Sequence, residues 1–289
     1  MISQINRREQ SNGNNPKGKI NRMKIGMRGH DLGKLPLIEF MEKARETGID
    51  EIQLAFAKAI SDYDFSAGHF SPGFARFVRQ NLQKNGLHVP VLGSYINPVA
   101  KDPITRKLEI AKFMENMKYA KYIGADMVGT ETGDFYEGGY EILIDTMKIL
   151  IETAEKLGVI IAVEGVTTHT LHSPKVISQF LDDISSPNMQ IIFDPANLID
   201  HTNVNQQDIM FDEVFRLYGG KVIAIHLKDL IIEGENKKYV PIGEGVLDYH
   251  ALFRRLKVRK PHISALIEGG KAETFAKERD YLYAIYNSI

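Results

Sequence analysis

Short apolar runs alternate with amphipathic segments along the chain. The runs hold four to six residues each and are rich in β-branched side chains, a pattern typical of strands covered on both faces in a parallel sheet. They begin at Lys24, Glu51, His88, Asp126, Val159, Met189, Val222 and Ile263. The pattern therefore predicts eight buried strands.

The segments between these runs carry the start and stop signals of helices. Ser71 and Pro72 supply an N-cap and a first-turn proline, and Gly86 ends the same segment. The segment from Asp102 to Gly124 repeats this arrangement. Eight strands, each followed by a helix at a spacing of roughly 30–40 residues, match the (β/α)8 TIM barrel. We therefore predict an α/β fold in which residues 23–289 form one barrel domain.

An open, doubly wound sheet is the structural alternative to the barrel. Such a sheet usually carries a glycine-rich phosphate loop after its first strand. Here Gly26, Gly29 and Gly33 do not form the GxGxxG pattern. The barrel is therefore the better interpretation.

Composition narrows the chemistry and the partners. The 289 residues include 36 basic and 37 acidic side chains, which gives a formal net charge of −1 and no field that would attract a nucleic acid. Cysteine is absent, so any metal must be held by oxygen and imidazole, and a cytoplasmic protein is expected. Residues 1–22 lack a signal-peptide core, and no apolar run is long enough to cross a membrane. We expect residues 1–22 to form a disordered, mobile tail, and we expect no membrane partner.

The last four predicted strands end in residues that bind metals. Glu164, Asp194, His226 and Glu268 end strands five to eight. Active sites of such barrels lie at the carboxyl ends of the strands, and an unpaired charge after an apolar run is costly. One divalent cation would compensate all four. Three carboxylates and one imidazole suit Mn²⁺ or Mg²⁺, with Co²⁺ or Zn²⁺ as alternatives.

Each of these residues alone has an ordinary explanation. Asp194 precedes a proline and is a suitable helix cap, and a single histidine on an apolar strand is usually a hydrogen-bonded core residue. Four suitable ligands on consecutive strand ends are harder to explain separately. We therefore favour the metal site.

Five motifs occur in a fixed order across most of residues 24–289, namely VEG, FDPAN, IHLKD, PIGEGVLDY and IEG. As a set they resemble the xylose-isomerase-like barrel superfamily of sugar-phosphate isomerases and epimerases, which also contains AP endonucleases. In its ketose 3-epimerases, Glu, Asp, His and Glu from strands five to eight hold one metal. The resemblance implies these roles for Glu164, Asp194, His226 and Glu268, with both glutamates also acting as acid and base around a metal-stabilised enediolate. It also implies a small sugar or polyol substrate and a homo-oligomer.

Two positions depart from the ketose 3-epimerase pattern. Those relatives commonly carry a substrate-contacting histidine three residues after the strand-six aspartate, where this chain has Asn197. The epimerases also carry an arginine six residues after the strand-seven histidine, where this chain has Ile232. Neither change affects the predicted metal ligands.

Polar residues at the other predicted strand ends are candidates for substrate contact. The candidates are His30, Tyr95, Glu131, His169, His172, Asn197 and Lys228, with Arg28, Asn97, Asp229 and Glu244 as further polar residues around the predicted cup. Glu131 has two alternatives, a second metal or a surface ion pair, and the two loop histidines may equally be solvated. Lys228 and Asp229 are also candidates for orienting His226.

Three functions fit the predicted site. The first is an isomerase or epimerase that acts on a free or phosphorylated sugar or a related polyol ketone. The second is a lyase of the inosose dehydratase type, because enolisation beside a carbonyl can also expel a β-hydroxyl. The third is a sugar-binding barrel without catalysis. An AP endonuclease is disfavoured. His69 could serve as one ligand of its zinc cluster, but Asn197 stands in place of a further histidine of that cluster. The sequence also has no stripe of basic residues that could bind the phosphates of DNA.

Overall fold

The computed structural model describes residues 23–66 and 68–289. The predicted tail, residues 1–22, lies outside the described residues. The described strands are β1 (Lys24–Arg28), β2 (Ile52–Gln53), β3 (Val89–Gly93), β4 (Ala125–Glu131), β5 (Ile160–Glu164), β6 (Met189–Phe193), β7 (Val222–Leu227), β8 (Asp229–Glu233), β9 (Asn236–Val240) and β10 (Ser264–Ile267). Each of the eight runs predicted from the sequence overlaps one of these strands.

Eight parallel strands form a nearly closed barrel. They are hydrogen-bonded in the order β2-β1-β10-β7-β6-β5-β4-β3. Two isolated bridges, Glu51–His88 and Leu54–Leu92, connect the two ends of this order. The fold is therefore the predicted α/β TIM barrel, with β10 as its eighth strand.

Helices connect the strands and cover the barrel. They are α1 (Leu37–Glu46), α2 (Phe56–Ala59), α3 (Pro72–Lys84), α4 (Pro103–Ile123), α5 (Gly139–Leu157), α6 (Pro174–Ile184), α7 (Pro195–Leu198), α8 (Gln207–Leu217), α9 (Tyr249–Arg259) and α10 (Ala272–Ser288). The predicted caps at Ser71 and Asp102 are confirmed, because each side chain accepts a hydrogen bond from a first-turn amide. Gly124 ends α4 at a φ of 91°, a left-handed conformation that glycine adopts without steric cost. None of the described helices is long and apolar enough to span a membrane.

The interior of the barrel is filled by apolar side chains. Six buried residues form this inner cluster: Val91, Met127, Ala162, Ile192, Ala224 and Leu266. A larger apolar cluster lies between the strands and the surrounding helices. Because the inner cluster occupies the axis, the polar residues at the carboxyl ends of the strands lie above a layer of packed apolar side chains.

An antiparallel hairpin, β8–β9, follows β7 directly and was not predicted. Its strands pair from Asp229 with Val240 to Glu233 with Asn236 around a two-residue turn. Gly234 begins this turn at a φ of 65°, as tight hairpin turns require. The glycine in the run DLIIEGENKKYV is a turn signal, but the predicted strands were only those of the parallel barrel. The hairpin extends from the barrel at the carboxyl end of β7.

Candidate metal centre

The structure brings the four predicted ligands together at the carboxyl ends of β5, β6, β7 and β10. Glu164, Asp194, His226 and Glu268 each offer one ligand atom, and these atoms all lie within 4.8 Å of one another. The imidazole Nδ1 of His226 lies 3.0 Å from Glu164 Oε2, 3.1 Å from Glu268 Oε2 and 4.0 Å from Asp194 Oδ2. The first three side chains are almost fully buried, and Glu268 is 14% exposed. Such a group could hold a metal ion.

Gln53 fixes the orientation of the histidine ring. Its Oε1 lies 2.6 Å from His226 Nε2, while its Nε2 donates to the hydroxyl of Tyr95 at 2.5 Å. Because an amide oxygen only accepts, Nε2 of the imidazole must carry the hydrogen. In the neutral ring, the lone pair of Nδ1 therefore points toward the three carboxylates.

Two buried atoms in this centre lack a hydrogen-bond partner. Neither carboxylate near His226 Nδ1 is aligned to bond with it, and Asp194 Oδ2 accepts no well-aligned hydrogen bond although the Lys228 ammonium lies 2.9 Å away. Without an ion, the carboxylates favour a protonated ring: although burial lowers the pKa of His226, Glu164 and Glu268 raise it to about 10. A divalent cation would satisfy the nitrogen lone pair and the aspartate oxygen together. The orphaned atoms and the oxygen-rich donor set thus fit such an ion.

Two cations balance part of the carboxylate charge. Lys228 Nζ lies 2.9 Å from Asp194 Oδ2 and 2.9 Å from Glu268 Oε1, and Arg28 contacts the same glutamate oxygen at 2.5 Å. Burial alone would raise the pKa of Glu268, but His226, Lys228 and Arg28 together hold it well below its usual range. Burial raises the pKa of Asp194 to about 6, with Lys228 opposing the shift. Three carboxylates against two fixed cations leave a site that still favours positive charge.

Asp194 serves as a helix cap and as a candidate ligand at the same time. Its Oδ1 accepts a hydrogen bond of 2.9 Å from the amide of Asn197 at the start of α7. Its other oxygen, Oδ2, faces Lys228 and the centre. The ordinary explanation for this residue is therefore correct for one oxygen and leaves the other available to an ion.

The β8–β9 hairpin braces Glu164 through Asn197. Asn197 Nδ2 donates to Glu164 Oε1 at 2.5 Å, and its Oδ1 accepts from the hydroxyl of Tyr239 at 2.7 Å. Lys237, two residues before this tyrosine, donates to three carbonyl oxygens in residues 196–199 at 2.8 to 3.2 Å. Asn197, predicted as a substrate contact, thus directly orients a candidate ligand.

Aromatic and basic side chains form the wall beside Gln53. The rings of His30 and Tyr95 meet edge to face with their centroids 6.0 Å apart. Burial, together with the charge of Arg28, lowers the pKa of His30 to about 4, so its ring is neutral near pH 7. His30 Nδ1 is buried without a hydrogen-bond partner. Both predicted residues therefore lie on the side of the site that Gln53 and Arg28 define.

The other predicted residues lie farther around the mouth. His169 Nε2 is 3.9 Å from Glu131 Oε2 and 3.8 Å from Asp134 Oδ1. His169 and Glu131, both predicted as substrate contacts, are therefore neighbours. His172 instead packs against the ring of Phe135, with the centroids 5.3 Å apart. Glu131 has a side chain that is 41% exposed. These contacts join β4 to the loop after β5.

Several further candidates have structural surroundings of their own. Asp229 does not orient His226; its carboxylate accepts hydrogen bonds from four backbone amides at 2.9 to 3.1 Å and holds the loop after β9. Asn97 accepts a hydrogen bond within its own turn, and Glu244 lies exposed. His69 is half exposed and lies 3.2 Å from the carboxylate of Asp64.

Three residues of this centre were not predicted from the sequence. Gln53 lies within the apolar run EIQLA, where an uncharged polar residue in a buried strand was the only signal. Lys237 and Tyr239 lie in β9, whose hairpin was not predicted. Gln53 contacts a candidate ligand directly, whereas Lys237 and Tyr239 contact residues 196–199 around Asn197. These partners lie far away in the sequence, so only the three-dimensional arrangement shows the connection.

Comparisons with known proteins agree with the fold. The model of a protein family described as xylose isomerase-like TIM barrel matches residues 41–285. No curated protein sequence matches the chain at a significant level.

Solved structures share the architecture at low sequence identity. A D-tagatose 3-epimerase-like protein aligns with a TM-score of 0.72 and 18% identity, covering 92% of this chain and 99% of the other. For a 3-keto-D-glucoside 4-epimerase from E. coli the TM-score is 0.69 with 15% identity, over 91% and 100% of the two chains. For a probable 3-DHS dehydratase from Bacillus anthracis it is 0.70 with 14% identity, over 90% and 99%.

Proposed function

Because the chain belongs to the xylose isomerase-like TIM barrel family, we propose that it is a divalent-metal-dependent isomerase or epimerase acting on a sugar or a related polyol ketone. Sugar epimerases among the structural neighbours support this class of enzyme. One observation carries the proposal. The lone pair of His226 Nδ1 faces three carboxylates in a buried site, an arrangement that a bound cation would stabilise.

Glu164, Asp194, His226 and Glu268 would hold the ion. When bound there, Mn²⁺ or Mg²⁺ would polarise the substrate carbonyl and stabilise the negative charge of an enediolate. The remaining chemistry is proton transfer by the side chains of the chain itself.

The two glutamates are proposed as the acid and base. Arg28 and Lys228 keep Glu268 ionised, the protonation state that a base needs, although the same charges lower its affinity for a proton from the carbon beside the carbonyl. Among the described residues, Asn197 donates a hydrogen bond to Glu164 Oε1, and no lysine or arginine is paired with this carboxylate. We therefore assign the return of the proton to Glu164.

A lyase reaction is the second candidate. The departures at Asn197 and Ile232 alter two positions of the epimerase pattern, and Asn197 here braces Glu164. A probable dehydratase is among the structural neighbours. The same removal of a proton beside a carbonyl would then be followed by loss of a β-hydroxyl. A dehydration would lower the product mass by one water, whereas isomerisation conserves it.

Hydrogen exchange with solvent deuterium tests the proposal. The protein loaded with Mn²⁺ is incubated in deuterated water with a panel of ketoses and inososes, and the products are analysed by mass and NMR. We expect Glu164→Gln and Glu268→Gln each to lower exchange about 10²–10⁴-fold, the usual contribution of one proton-transfer group. Glu235→Gln, in the exposed hairpin turn, is the matched control.

The variants also separate catalysis from metal binding. Metal content and affinity are measured for each variant, because both glutamates are also proposed ligands. If either Gln variant kept wild-type turnover with the ion bound, its role as acid or base would be wrong. If the loaded wild type exchanged hydrogen with no compound of the panel, a sugar-binding barrel would replace the enzyme.

A further inference from the structure

A small cavity beside the proposed active site contains two unpaired lysines. It lies between the segments that follow β2 and β3 and the middle of α4, and its volume is about 100 Å³. Its polar lining, which we call the lysine pocket, consists of Lys58, Ser94, Tyr95, Lys112 and Asn116. The described residues that line it include no carboxylate.

Neither lysine has a described counterion. Lys58 Nζ lies 3.6 Å from the ring centroid of Tyr95, and Lys112 Nζ donates only to the backbone carbonyl of Tyr95, at 3.4 Å. Partial burial lowers the pKa of Lys58; the carboxylates of Glu131 and Glu268 oppose this shift, and the cations Arg28 and Lys112 add to it. Lys58 lies over the ring of Tyr95 and Lys112 lies at its backbone carbonyl, neither in a described ion pair, and an anion bound between them would be stabilised by both charges.

Tyr95 connects the lysine pocket to the candidate metal centre. Its hydroxyl accepts a hydrogen bond from Gln53, the residue that also holds His226. Its backbone carbonyl, at the other end of the residue, is bound by Lys112. A short sugar chain lying along the tyrosine would therefore place its reacting end at the centre and its far end at the lysines.

The size and chemistry of the lysine pocket restrict the occupant. Since one water needs roughly 10–15 Å³ of such volume, the pocket has room for several waters and therefore for a phosphate or a carboxylate group. Aromatic side chains, Phe56, Phe65 and Phe70, form its apolar side. Ser94 and Asn116, which hydrogen-bond to each other at 3.0 Å, complete a polar edge.

We propose that the lysine pocket binds an anionic oxygen group, a phosphate or a carboxylate, at the end of the substrate remote from the reacting carbon. This inference rests on the proposed function and specifies the substrate class: a phosphorylated ketose or a keto-sugar acid. Lys58 and Lys112 select the charge, and Tyr95 separates the charged end from the reacting end.

Matched substrates test the inference. Hydrogen exchange by the Mn²⁺-loaded wild type is measured with D-fructose, D-fructose 6-phosphate and D-fructuronate, and with D-ribulose and D-ribulose 5-phosphate. We expect kcat/KM for an anionic member to exceed that for its neutral partner at least tenfold, about 1.4 kcal/mol. A preference for the phosphate or for the carboxylate identifies the source of the charge.

Variants assign the preference to these lysines. Lys58→Gln and Lys112→Gln should each move the ratio of anionic to neutral kcat/KM toward one, chiefly through KM. Lys58→Arg, which keeps the positive charge, should keep the wild-type ratio. Lys107→Gln is the control, because this lysine is exposed on α4 and forms no ion pair with a described residue. A structural role alone would lower both members of each pair together.

The results that overturn the inference differ from those that overturn the proposed function. Equal kcat/KM for neutral and anionic members, or a charge preference that survives both glutamine variants, refutes the lysine pocket and leaves the enzyme intact. Absence of exchange with every compound, while the ion remains bound, refutes the proposed function and the inference together.

Discussion

Gln53 offers the sharpest test of the candidate metal centre, because it touches the histidine without being a ligand. Its Oε1 accepts the hydrogen of His226 Nε2 at 2.6 Å and so directs Nδ1 toward the carboxylates. In Gln53→Leu this hydrogen has no acceptor at its present position. Leaving a buried donor unpaired costs about 1–3 kcal/mol.

Most of that cost should appear in metal affinity. In the ion-free variant, the protonated ring can release its Nε2 hydrogen and keep the one on Nδ1, which lies 3.0 Å from Glu164 Oε2 and 3.1 Å from Glu268 Oε2. Metal binding removes this option, because it requires the lone pair of Nδ1. We therefore expect Gln53→Leu to weaken Mn²⁺ binding about 10–100-fold, the range found when a residue that orients a metal-binding histidine is lost.

Titration calorimetry of metal-stripped protein with Mn²⁺ measures the effect. Gln53→Glu keeps an acceptor for Nε2, and Tyr95 can donate to it, so this variant should bind Mn²⁺ at least as tightly as the wild type. Gln190→Leu is the control, since this glutamine on β6 bonds only to the carbonyl of Pro187. Wild-type affinity in Gln53→Leu, or an equal loss in Gln53→Glu, would refute the role assigned to Gln53.

Two further predictions concern pH and packing. The pKa of His226 is raised from 6.5 to about 10 in the ion-free protein, so the stability that its proton contributes is present below pH 6.5 and is lost as the pH rises toward 10. Mn²⁺ must displace this proton, so its affinity should rise about tenfold per pH unit between roughly pH 7 and 9, and a flat profile by calorimetry would contradict the assignment. Gly26→Ala should lower the free energy of unfolding by several kcal/mol, about the cost of severe overpacking, because its Cβ would lie 1.9 Å from the carbonyl oxygen of Glu51. Gly220→Ala, where a Cβ meets no atom within 4 Å, is the control in urea titrations, and equal stability of the two variants would show that the backbone yields.

The strands and the four candidate ligands could be predicted because their signals are local. Each ligand ends a continuous apolar run, and the barrel topology brings the ends of such runs to one face. The identity of the last residue was therefore enough to predict which side chains meet. Their proximity needed no knowledge of loop conformation.

The supporting contacts could not be predicted in the same way. Gln53 reaches His226 across the barrel, although the two residues are 173 positions apart in the sequence. Asp229 lies just after β7, the strand that carries His226, and was therefore a candidate for orienting this histidine. The amides of the following loop bind its carboxylate instead. Loop geometry decides such contacts, and periodicity carries no information about it.

The apolar interior of the barrel has a consequence for how a substrate would enter and a product would leave the proposed site. Val91, Met127 and the other described inner residues fill the axis beneath the centre, so a product would leave the proposed site at the carboxyl ends of the strands, where its precursor arrives. Accumulated product should thus compete with substrate for the same opening and act as a competitive inhibitor.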